Sequence, residues 1–123
     1  MKPVLLLDQT AYALAEAISQ YTEREIIPAR TLGEAETAMR TEDIGAIIVE
    51  PMVHYAWDGG SESIPAFLKG VRKRDVPVII HTTVQRSDLR EWNLEPGLHY
   101  DDYVSKPNDP VENLKASLDT LVG

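Results

Sequence analysis

The sequence predicts a doubly wound α/β domain: a five-stranded parallel sheet, order 2-1-3-4-5, with helices on both faces. Three observations carry this. Short, nearly unbroken apolar runs recur at VLLL, AIIV and PVII, as in strands covered on both faces. Segments with helical periodicity separate them, so strand alternates with helix and the crossovers must be right-handed. The 123 residues suit one domain with one core, spanning 1–123, and no repeat, low-complexity tract or linker divides them.

Each element has its own local reason. Val4 to Leu7 is an apolar run followed by Asp8-Gln9-Thr10, a strand and then a helix-start signal. In AYALAEAISQY, Ala11, Leu14, Ile18 and Tyr21 recur at helical spacing, leaving Glu16 and Gln20 outside. Glu25 to Ala29 reads as a second strand, and Pro28, which has no N–H for a ladder, assigns it to an edge. Thr31 and Glu34 have capping-box spacing, and Leu32, Ala35 and Met39 form one apolar face of the second helix.

Gly45 to Glu50 is the third strand, apolar until its last residue. PMVHYAWDGGSES is a loop, after which Ser63 opens a third helix with Pro65 in its first turn and Phe67, Leu68 and Val71 inward. Val76 to Thr82 is the fourth strand. Ser87-Asp88 opens a weaker fourth helix holding Leu89 and Trp92, ended by Pro96-Gly97. Asp102 to Ser105 is the last strand. The final helix follows Lys106-Pro107-Asn108-Asp109-Pro110, with Val111, Leu114, Leu118 and Leu121 as its inner stripe.

Composition removes several function classes. Twenty acidic against 12 basic residues give a net charge of −8, which repels phosphate backbones and argues against direct nucleic-acid binding. The basic run Lys69 to Arg74 falls where the third helix ends, and cations there offset its dipole. No apolar run approaches the ~20 residues of a membrane span, and Asp8 interrupts the first apolar run before a signal peptide could form. A cytoplasmic protein is expected. With no Cys there is no disulfide, thiolate metal site or Cys nucleophile. His54, His81 and His99 lack metal-ligand spacing; His81 should face away from Thr82 on its strand.

Doubly wound sheets bind ligands beyond the C-terminal ends of their strands. Those ends carry Asp8 and Gln9, Glu50, Thr82 and Thr83, and Lys106. A carboxylate such as Glu50 closing an apolar strand is costly without a partner, and Lys106 is the partner the topology offers.

LLLDQT, AIIVEP, PVIIHTT and DDYVSKP, in that order, resemble the receiver domains of bacterial two-component response regulators over essentially the whole chain. The resemblance implies a flavodoxin-like fold, no enzymatic activity, and phosphorelay signalling through contacts with a histidine kinase or a downstream signalling protein. It places an acidic pocket at Asp8 and Gln9 and the phosphoacceptor position at Glu50. Thr82 and Tyr103 become switch residues, and Lys106 the counter-charge. Asp58-Gly59 matches the family's loop into the third helix, a cis Lys106-Pro107 bond is expected, and a homodimer through the helix 4–strand 5–helix 5 face is the family's manner of pairing.

Two positions depart from the family pattern. Glu50 stands where the family has Asp, advancing the carboxylate by ~1.5 Å. Gln9 stands where the family has a second carboxylate, leaving Asp8 as the one, weak ligand for magnesium, an ion that demands near-octahedral oxygens. No cofactor is firmly expected. Phosphorylation-independent action follows, with Glu50 either imitating a phosphoryl group imperfectly or merely bridging to Lys106.

Two other classes compete. One is a scaffold or dimerisation module without switching, docking through His54, Tyr55 and Trp57 or through Trp92; the alternative for Trp92 is that it covers the core edge. The other is a small flavodoxin-like cofactor protein, which would need a phosphate-cradling loop after the first strand; DQTAYALAEA has no Gly for one.

Overall fold

The computed structural model describes residues 1–52 and 64–122. Five parallel strands form one sheet in the order β2-β1-β3-β4-β5: β1 (Val4–Leu7), β2 (Ile26–Ala29), β3 (Ala46–Val49), β4 (Val78–Thr82) and β5 (Asp102–Ser105). The helices are α1 (Ala11–Ser19), α2 (Leu32–Thr41), α3 (Ile64–Lys73) and α4 (Glu112–Val122), with a 3₁₀ segment (Arg86–Trp92) between β4 and β5. The expected architecture is present, and β2, with Pro28, lies at an edge.

Alternation along the strands divides the core into two layers. Leu5, Leu7, Ile47, Val49, Val78 and Ile80 pack with buried residues of α2 and α3 on one face. Val4, Leu6, Ala46, Ile48, Ile79 and Val104 pack on the other with Ala11, Ala15 and Ile18 of α1 and Leu114 and Leu118 of α4. Strands covered on both sides can be apolar throughout, and β1 and β3 are.

Local signals mostly act as their chemistry dictates. The Thr31 hydroxyl accepts from Glu34 N–H at 3.1 Å and caps α2. The reciprocal bond of a capping box is displaced by one residue, because Glu34 Oε1 accepts from Arg30 N–H instead. Phe67, Leu68 and Val71 are buried as expected; Ser63, the expected cap of α3, lies outside the described residues.

Three expectations need correction. Tyr21 lies beyond the end of α1 and is exposed, so the inner stripe stops at Ile18. The fourth helix is a 3₁₀ segment, and it stops at Asn93, not at Pro96-Gly97. Asn93 takes the left-handed conformation at φ 60° and donates its N–H back to Arg90 and Leu89, closing the helix end. The Lys106-Pro107 bond is trans, since no described peptide bond is cis; Ser105 is instead braced to the following turn by Ser105 N–H to Asp109 Oδ2 and Asp109 N–H to Ser105 O.

Candidate functional site

The last ladder hydrogen bonds of the sheet fix the backbones of the site residues. Asp8 N–H donates to Ala29 O, Glu50 N–H to Leu7 O and Lys106 N–H to Thr82 O. Thr82 is itself the last residue of β4. Residues 8, 50, 82 and 106 are thus carried to one edge by parallel register, although they are far apart in the chain.

Their side chains meet. Lys106 Nζ lies 2.8 Å from Asp8 Oδ2 and 3.1 Å from Glu50 Oε2. The Thr82 hydroxyl donates to Glu50 Oε1 at 2.7 Å, and Met52 N–H donates to the same oxygen at 2.9 Å. Asp8 Oδ1 accepts from both the N–H and the hydroxyl of Thr10, at 2.8 and 2.9 Å. Asp8 Oδ1 and Glu50 Oε1 are hydrogen-bonded, while Asp8 Oδ2 and Glu50 Oε2 face the Lys106 ammonium as ion pairs, Asp8 Oδ2 being buried without a hydrogen bond of its own. Asp8 and Glu50 are buried, while the lysine side chain keeps 26% of its exposure. Gln9 is exposed.

Burial and charge oppose each other here. Burial alone would raise the Asp8 carboxyl, but the Lys106 ammonium and the Thr10 donors outweigh it and hold it below its ordinary value. Burial alone would lower Lys106, but hydrogen bonding and attraction to Asp8 and Glu50 raise it. The Asp8 carboxylate is ionised and the Lys106 amine is charged.

Thr82 also connects the pocket to the next segment, because its hydroxyl accepts from Val84 N–H. The Tyr103 hydroxyl donates to Val84 O, and its ring packs on the α2/α3 core layer. Glu50, Thr82, Val84 and Tyr103 thus form one continuous path of contacts. Trp92 packs against the same layer, as expected of an aromatic covering the core edge. His54, Tyr55, Trp57 and Asp58-Gly59 lie outside the described residues.

Sequence reasoning missed the Met52 N–H, a backbone donor with no side-chain signature. It also missed His81 as a neighbour of the site. His81 is 4% exposed, its Nδ1 has no hydrogen-bond partner, and burial, aided by the nearby Lys106 charge, lowers it to about 4. Its unusual polarity within PVIIHT was the one available signal. Among the described residues, no group of three or more His, Asp or Glu side chains assembles as a metal site.

The chain matches no protein-family model and no curated protein. Its structure is similar to the receiver domain of the Francisella response regulator 1452, with TM-score 0.73 and 24% identity over 99% of this chain and 97% of that one. A LuxR-family DNA-binding response regulator from Staphylococcus aureus superposes with TM-score 0.76 at 17% identity, over all of both chains. The receiver domain of a putative LuxO repressor protein from Vibrio parahaemolyticus gives 0.72 at 22%, over 98% and 89%. The likeness is one of fold: this chain has the receiver architecture along its whole length.

Proposed function

We propose that this chain is a receiver-like domain of two-component signalling that works without phosphorylation, Glu50 standing permanently where a transferred phosphoryl group would be held. One observation carries the reading. The carboxylate of Glu50 takes the Thr82 hydroxyl and the Met52 N–H on one oxygen and the Lys106 ammonium on the other. Those are the donors an oxyanion arriving at this edge would need, and they are already engaged.

Output on this reading is a protein-contact surface, not a reaction. Glu50 holds Thr82, Thr82 holds Val84, and Val84 fixes Tyr103, so the pocket sets the face made by the 3₁₀ segment, β5 and α4. That face docks a histidine kinase or a downstream signalling protein, and the position of β5 as the last strand of the sheet supports a homodimer there. The imitation is incomplete, since Glu50 brings one negative charge where a phosphoryl group brings nearly two. No described helix is long and apolar enough to cross a membrane, consistent with a cytoplasmic signalling role.

Two measurements test the proposal. Incubation with acetyl phosphate and magnesium, read by intact mass, should leave the mass unchanged; a stoichiometric gain of one phosphoryl group would overturn it. Glu50→Gln should shift the NMR resonances of Thr82, Val84 and Tyr103 together. Shifts confined to Thr82 would deny the path to the surface.

A further inference from the structure

The resemblance implies a magnesium ion in the acidic pocket, and the residues present do not fit one. Magnesium takes oxygens at ~2.1 Å in a near-octahedral array, usually one or two free carboxylate oxygens completed by waters. Of the four carboxylate oxygens here, Asp8 Oδ1 already takes two donors from Thr10, and Glu50 Oε1 takes two from Thr82 and Met52. The other two, Asp8 Oδ2 and Glu50 Oε2, share one ammonium at 2.8 and 3.1 Å, and Asp8 Oδ2, buried and without a hydrogen bond, has that charge as its one compensation among the described residues. Where the family has a second carboxylate after the first strand, Gln9 is neutral and exposed.

The geometry points to Lys106 as the resident cation of this site: its ammonium occupies the seat between two carboxylates and keeps divalent metal ions out. The charge count agrees. Asp8, Glu50 and Lys106 sum to −1, so a divalent ion would leave the buried cluster positive. An ion reaching Asp8 Oδ2 and Glu50 Oε2 would also sit within a few ångströms of Nζ, where repulsion between charges of +2 and +1 amounts to several kcal/mol even at an effective dielectric constant of ~20. This deepens the reading above, because a site that carries its own cation is independent of divalent ions as well as of phosphorylation.

The test is divalent-ion binding to the intact chain and to Lys106→Met. For the wild type, about 10 mM magnesium should leave the melting temperature unchanged within ~1 °C, since a ligand stabilises only what it binds. Trace manganese should broaden no NMR resonance of Asp8, Glu50 or Thr82. Lys106→Met should bind magnesium at least ~10-fold more tightly than the wild type, seen as a rise in melting temperature, given the repulsion removed. Selective broadening around Asp8 and Glu50 in the wild type would overturn the inference, and so would a folded Lys106→Met variant that binds no better. The wild-type measurement stands if the variant fails to fold. Metal uptake without a phosphoryl mass gain would sink this inference and spare the phosphorylation-independent reading; a mass gain would sink that reading.

Discussion

Lys106→Met removes the ammonium between Asp8 and Glu50 while keeping most of the side-chain volume, so the charge is tested separately from packing. Stripping one partner from a buried ion pair costs about 3–5 kcal/mol, mostly because the remaining charge is left without compensation. Two features reduce that here. The lysine side chain is 26% exposed, so solvent screens part of the interaction, and both carboxylates keep other donors in Thr10, Thr82 and Met52. We expect a loss of about 2 kcal/mol. For a chain of this length that lowers the melting temperature by about 6–10 °C.

The control is Lys115→Met. Lys115 pairs with Asp119 at 2.6 Å, closer than either contact of Lys106, but both side chains are nearly half exposed. Such pairs contribute about 0.3–0.5 kcal/mol. Thermal and urea unfolding at neutral pH, followed by circular dichroism, should separate the two variants clearly. The pH dependence adds a second criterion. The raised pKa of Lys106 makes its contribution complete below the ordinary value of 10.5 and lost as pH rises through the raised one. The lowered pKa of Asp8 makes its share complete above 3.8 and lost as pH falls through the lowered one. The gap between wild type and Lys106→Met should therefore hold between those limits and close outside them. Equal losses for the two lysine variants, or a gap indifferent to pH, would refute the reasoning.

His81 is depressed from 6.5 to about 4, so the unfolded chain binds its proton first as pH falls. Stability should drop by about 3 kcal/mol between those values, and His81→Leu, followed by urea unfolding across that range, should abolish this part of the slope. Thr31→Ala removes the cap that accepts Glu34 N–H and should cost about 1 kcal/mol in the same assay; no change would show that Arg30 and Glu34 close the helix end unaided. Gln9→Asp with Glu50→Asp rebuilds the carboxylate set that the resemblance implies. This double variant should gain a magnesium-dependent rise in melting temperature and labelling by acetyl phosphate, and acquiring neither would mean that more than these two positions separates the chain from a phosphorylatable receiver.

The candidate site was legible because a parallel sheet leaves little choice. Once VLLL, AIIV, VIIHT and DYVS are strands in one direction, the residues that end or follow them share an edge, and Asp8, Glu50, Thr82 and Lys106 converge from topology alone. What topology does not fix was not legible. The segment holding Leu89 and Trp92 has few apolar positions to choose between α and 3₁₀ spacing, and its stop lies in the left-handed backbone of Asn93, a signal overshadowed by the stronger Pro96-Gly97 that follows. Tyr21 fits the α1 stripe by spacing but lies after the helix ends, where spacing no longer governs direction. Arg24 and His99 are buried by neighbours distant in sequence or by a local turn, the latter with Nδ1 accepting from Glu95 N–H. Polar side chains of this kind read as surface until their partners are known.

The difference between Asp and Glu at position 50 is one methylene, and on the proposed reading that methylene alters what the pocket is for. A phosphoacceptor must present an oxygen to an incoming group while nearby donors wait to receive the charge that arrives. Here the donors do not wait. Thr82, Met52 and Lys106 are spent on the carboxylate itself, so the group that would be modified already consumes the stabilisation that modification would draw on. On the proposed reading, occupying the donors permanently turns a switch into a setting, with one charge in place of nearly two. On this reading the contact surface has a fixed state, and regulation passes to whatever governs how much of the domain, or of its partner, is present.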